Sequence, residues 1–180
     1  LCQSTYMLVA DPAAALAETR RVLRPGGRLA LSVWGVPERN PWASIGGGIL
    51  VERGHVPPPD PEVPGVFSLA SEERTNALLN DAGFRSIRTE EVAVGFAFRG
   101  LDEYEQWVID VAGPFAMLVR GLPEDEREVL RARLREAFIP FATDGGYELP
   151  GVALCAVASC PPGSATAPGR HGPGTSGMGG

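Results

Sequence analysis

Few residues in this chain have the types and spacing that chemistry needs. The two histidines, His55 and His171, have no Asp, Ser or Cys placed as a nucleophile–base–acid set would require, which argues against a hydrolase triad. Glu72-Glu73 and Glu90-Glu91 look like paired carboxylates, but adjacent residues do not face one another on a helix or a strand. They read as solvated faces. Cys2, Cys155 and Cys160 have no metal-type spacing, so no metal site is expected. Their odd number fits a reducing, cytoplasmic setting better than a disulfide framework. Gly46-Gly47-Gly48 is the candidate for a loop that cradles phosphate or nucleoside. No strand precedes it and the spacing is wrong, so a poorly helical lid segment explains it better. Tyr104, Trp107 and Phe115 stand at helical spacing and read as core.

The elements that would position a site are clearer. Asp11-Pro12 is a helix start, with the Asp side chain capping free N–H groups and Pro at the first helical position. Leu16, Thr19, Val22 and Leu23 form its apolar stripe, and Glu18 can pair with Arg21. Pro25 ends the helix, and Gly26-Gly27 supply the positive φ of a reversal. "RLALSVW", 28–34, is then a short buried strand. Residues 1–4 read as the end of an earlier strand, and 42–53 as a helix. Ser71 caps another helix that Gly83 ends. The alternating 86–98 segment reads as a strand, 101–119 and 123–141 as two amphipathic helices, and 148–158 as a final strand.

These residues carry a family resemblance. "MLVADPAAALAETRRVLRPGGRLALSVW" resembles the central segment of class I S-adenosylmethionine-dependent methyltransferases, of the type related to quinone-biosynthesis C-methyltransferases. Glu18, Arg21-Val22-Leu23 and Pro25-Gly26-Gly27 match that pattern. The likeness extends over about residues 1–158 and is seen again in "LLNDAGFRSIRTEEV" and "YELPGVALCAVA". It implies an α/β fold: the C-terminal half of a Rossmann-like sheet, whose last strand lies antiparallel between its neighbours, with added helices. It also implies S-adenosylmethionine as cofactor and a small-molecule methyl acceptor. Cys2, Gln3 and Ser4 would line the cofactor, unless they are only a strand end. Trp34, Asn40 and Trp42 would follow the strand at the carboxyl edge, where open α/β sheets place ligands, with Tyr6 on the acceptor side of the same cleft. Aromatic walls suit an apolar acceptor, and buried packing is the alternative.

Two signatures of that family are missing from the sequence, a glycine-rich loop after a strand and an acidic residue after the next strand. The chain begins at Leu1 within the expected strand end, so it reads as a C-terminal portion, incomplete for cofactor binding. Residues 159–180, rich in Pro, Gly and Ser, read as a disordered tail. A net charge of −6 argues against a nucleic-acid partner, and no apolar run is long enough for a membrane span. Oligomeric state is not legible. The alternative function is a non-catalytic α/β binding or interaction domain.

Overall fold

The computed structural model describes residues 1–111 and 113–162. In chain order, β1 (Cys2–Gln3) leads into a 3-10 turn, α1 (Pro12–Val22) and β2 (Arg28–Trp34). There follow α2 (Pro41–Glu52), α3 (Glu72–Asp81) and β3 (Arg85–Phe98). Three helices come next, α4 (Leu101–Val111), α5 (Gly113–Gly121) and α6 (Glu124–Ala137), before the hairpin of β4 (Ala142–Thr143) and β5 (Gly146–Ser159).

The sheet order is β1-β2-β5-β3, with the short β4 on β5. β1 and β2 are parallel, and β5 lies antiparallel between β2 and β3. This is the expected orientation of the last strand. Its consequence is geometric: β1, β2 and β3 all point the same way, so Ser4, Gly35 and Arg99 leave the sheet along one edge.

Local chemistry explains the helix boundaries. The Asp11 carboxylate accepts from the Ala14 N–H at 2.8 Å, and the Ser71 hydroxyl accepts from the Arg74 N–H at 3.3 Å. Gly26, at φ +73°, makes the turn that returns the chain to β2. Of the stripe on α1, Leu16 is fully buried and Leu23 packs on the core, but Val22 is 63 % exposed. Six residues at 100° each put Val22 well off the face of Leu16, whereas seven return Leu23 to it.

The helix expected over 101–119 is described as α4 and α5 on either side of residue 112, which lies outside the described residues. The next helix stops earlier than expected, at Ala137, and passes into a 3-10 turn over Ile139–Phe141. At the other end of the domain, Ser159 still pairs with Arg28, and Cys160 is buried, its N–H donating to the Gly27 carbonyl at 2.8 Å. The expected disordered tail, from residue 163 on, lies outside the described residues.

Each sheet face carries its own core. Leu29, Leu31 and Val33 of β2 join Leu154, Ala156 and Ala158 of β5 beneath α1 and α3. On the opposite face, Trp42 and Leu50 of α2, Phe98 and Leu149 of the strands, and Leu130 and Leu134 of α6 form the second core. That second cover is partial. Ser32 and Cys155 are half-buried, Val92 and Val157 are 42 % and 43 % exposed, and Arg88 and Glu90 are exposed.

Candidate functional site

The edge where the three parallel strands end gathers most of the residues singled out in the sequence. β1 ends abruptly because Ser4 takes φ +51°, an uncommon left-handed conformation for a serine. Its N–H still donates to the Ser32 carbonyl at 2.9 Å, so the turn is tied to β2. Strand alternation divides the three residues. Cys2 pairs with Leu31 and packs its thiol on the α1–α3 core, whereas Gln3 is exposed and Ser4 half-buried. Neither the Gln3 amide group nor the Ser4 hydroxyl has a hydrogen-bond partner among the described residues, so both can serve a ligand.

One strand over, β2 ends at Trp34. Its ring meets Trp42 edge-on, with centroids 4.7 Å apart, and Phe96 at 5.9 Å. Trp42 lies 4.8 Å from Phe96 and 5.6 Å from Trp107, and Trp107 reaches Phe98 at 5.5 Å. These five rings from β2, α2, β3 and α4 pack with the tilted and edge-to-face contacts their quadrupoles favour, and the contacts run on from Phe98 through Tyr104 and Phe138 to Tyr147. Trp42 is buried, and its indole N–H donates to Asn40 Oδ1 at 3.0 Å. Trp34 and Trp107 are half-buried, and their indole N–H groups are unengaged among the described residues.

Asn40 is fully buried and spends all its polarity on the protein. Its Nδ2 donates to the carbonyls of Gly35, Val36 and Val152 at 3.0–3.2 Å, and its Oδ1 also accepts the Val152 N–H at 3.0 Å. No polar atom is left to face a ligand. It staples the loop after β2 to β5 and fixes the Trp42 ring. Tyr6 is buried in the other core, against α1. Thr19 donates to the Ala15 carbonyl at 2.8 Å, so the Tyr6 hydroxyl donates to Thr19 Oγ1 at 2.7 Å. Burial raises its pKa. The edge thus brings together Gln3, Ser4, Trp34 and Trp42, while Asn40 and Tyr6 stand behind it as supports.

Phe96 and Trp107 belong to the cluster without having been singled out as site residues. Phe96 and Phe98 are two apart on a strand and so share a face, a signal the sequence contains. That α4 would lay Trp107 against them is a tertiary fact. Elsewhere, Gly46-Gly47-Gly48 lie within α2, where no phosphate-binding turn exists. His55 pairs with Glu126 at 2.8 Å and links the loop after α2 to α6. Among the described residues no group of three His, Cys, Asp or Glu could hold a metal ion, and no helix is long and apolar enough to cross a membrane.

No protein-family model matches the chain. A methyltransferase of Acremonium sp., named ucsB, is 28 % identical over 132 residues, which cover 72 % of this chain and 42 % of that protein. The chain thus spans less than half the length of this curated relative. Among solved structures, BH2331 of Bacillus halodurans C-125, assigned as a methyltransferase, superposes with a TM-score of 0.48 at 20 % identity, covering 89 % of this chain and 68 % of its own. Phosphoethanolamine N-methyltransferase 2 of Haemonchus contortus, solved with S-adenosyl-L-methionine, gives 0.39 at 12 % identity, covering 89 % of this chain and 32 % of its own. TM-scores this low carry no weight for function, and the fold stands on its own strand order and orientation. By sequence, the chain is similar to the Acremonium methyltransferase over 132 residues.

Proposed function

We propose that this chain forms the acceptor side of a class I S-adenosylmethionine-dependent methyltransferase acting on an apolar small molecule. The observation that carries the reading is the coincidence, at the carboxyl edge of the parallel strands, of two free polar side chains and two half-buried indoles. Open α/β sheets bind ligands at this edge.

The bound cofactor would supply an electrophilic methyl group on sulfur. Gln3 and Ser4 would hold it: an amide and a hydroxyl both donate and accept, which suits ribose hydroxyls or an amino-acid moiety. Trp34 and Trp107 would offer ring faces to the acceptor and N–H donors to an oxygen on it. Displacement at a methyl carbon depends chiefly on alignment, and an acceptor held in line gains on the order of 7–11 kcal/mol where geometry is ideal. None of the residues named at this edge is a general base, which suits an acceptor that arrives already deprotonated. A quinol of the type the family resemblance implies would fit as its phenolate: its ring carbon would take the methyl, the sulfonium would leave as a neutral thioether, and the ring C–H proton would pass to solvent.

Cofactor affinity of these 180 residues by themselves should be low. Two or three charge-assisted hydrogen bonds of the kind a glycine loop and a ribose-binding acid provide are worth about 1.5–3 kcal/mol each. Doing without them weakens binding by roughly two to six powers of ten. S-adenosylhomocysteine titrated onto the chain and followed by amide chemical shifts tests the reading. It predicts fast-exchange shifts at Gln3, Ser4 and Gly35 with a Kd of about 1 mM or weaker. Absence of any shift at these amides would favour a non-catalytic α/β binding domain.

A further inference from the structure

Behind the aromatic cluster, which its lining residue Tyr104 joins edge-on at Phe98, α4, α5 and α6 line a hollow of about 290 Å³ with Gly46 of α2 at its floor. None of Trp34, Trp42, Phe96 or Trp107 lines it. The floor is close-set: a Cβ on Gly46 would stand 3.3 Å from the Phe115 ring and 3.7 Å from the Tyr104 hydroxyl. That hydroxyl already donates to the Trp42 carbonyl at 2.9 Å, so the floor presents no free donor from Tyr104. The walls are apolar, from Val108, Ile109, Phe115, Val119 and Leu130.

The rim is charged but balanced. Arg120, Arg127 and Arg131 face Glu105, Glu124 and Glu128, so the mouth has no net charge and favours neither an anion nor a cation. One rim group is set apart from the rest. Glu105 is half-buried, and Arg131 donates to its Oε2 at 2.6 Å while also pairing with Asp102. The Glu105 Oε1 has no hydrogen-bond partner among the described residues. Burial raises the pKa of this carboxyl against the pull of Arg131.

We infer that this hollow is a second ligand site, taking a neutral, largely apolar small molecule that donates one O–H or N–H to Glu105. Its size suits a bicyclic ring of about ten carbons, at the small end of ligand pockets. A neutral body avoids desolvating an unpaired charge, and a single donor satisfies the open oxygen of Glu105, the one half-buried carboxylate of the rim, Glu124 and Glu128 being exposed. The site is separate from the strand edge and stands whether or not methyl transfer is the activity.

The probe is 2-naphthol, compared with 2-methoxynaphthalene, which keeps the rings and loses the donor. Amide shifts should saturate for residues of α4–α6 with 2-naphthol, and binding of the methoxy compound should be about tenfold weaker or worse, the value of a hydrogen bond to a charged group. Glu105→Ala should bring 2-naphthol down to the level of the methoxy compound, and Val119→Trp should fill the hollow and abolish both. Equal affinities for the two probes on the unaltered chain, or no saturable shift at α4–α6, would overturn the inference, even if either variant failed to fold.

Discussion

Replacing Asn40 with alanine isolates what supports the aromatic edge. The side chain is fully buried, and its Oδ1 is the acceptor for both the Val152 N–H and the Trp42 indole N–H, each at 3.0 Å. Alanine would strand both donors. A buried donor left unsatisfied costs about 1–3 kcal/mol, so two cost roughly 2–6 kcal/mol. The Val152 carbonyl would keep the Gly35 N–H at 2.8 Å and adds little to that sum. Against a typical stability of about 5–15 kcal/mol the loss is large. In a domain of this size each kcal/mol moves the melting temperature by about 2–4 °C, so a mid-range cost of about 4 kcal/mol predicts a fall of roughly 8–16 °C. Asn40→Asp should be no better, because it keeps the acceptor but turns a carboxylate toward three carbonyl oxygens. Circular dichroism melting and urea titration measure both variants, and tryptophan emission should shift to the red as Trp42 loses its anchor. A fall smaller than about 2 °C for Asn40→Ala would refute the claim that this residue holds the edge together.

Two further outcomes follow from particular contacts. Gly151→Ala should destabilise the chain by about 1–3 kcal/mol and alter tryptophan emission, because the new Cβ would lie 2.7 Å from Val94 Cγ2, 3.1 Å from the Phe96 ring and 3.2 Å from the Trp42 indole nitrogen; equilibrium unfolding measures the cost, and an unchanged midpoint would show that the aromatic packing is loose. Glu126, bonded to Arg53 and His55, is held down to about 2 from an ordinary 4.5. A depressed carboxylate stabilises the fold above its unfolded pKa, so this contribution is complete above about pH 4.5 and fades as pH falls toward 2. Carboxyl-carbon NMR should show the low titration in the unaltered chain and its return toward 4.5 in Arg53→Ala; titration near 4.5 in both would contradict the pairing.

Much of the fold was legible because its signals are local. Asp11-Pro12, Ser71 and Gly26-Gly27 state where helices begin or turn, and alternation in 86–98 states a strand. The orientation of β5 came from the family resemblance, since no local residue specifies which neighbours a strand will choose. The site was legible in part. Trp34 and Trp42 could be placed at the sheet edge from their position after β2. That both polar atoms of Asn40 reach the Val152 backbone, 112 residues away, and that Trp107 closes the ring cluster, depends on β5 and α4 packing there.

The central claim is that a methyl-donor cofactor lies against the carboxyl ends of β1 and β2. Irradiating the chain with methyl-tritiated S-adenosylmethionine at several millimolar, above the weak Kd expected for it, digesting with trypsin and locating the radioactivity tests it directly. Trypsin cuts after Arg20, Arg28 and Arg39, which separates the β1 edge from the β2 edge. The account predicts label in peptides 1–20 and 29–39, suppressed by excess S-adenosylhomocysteine. Suppressible label confined to the α4–α6 peptides, or no suppressible label anywhere, would contradict it.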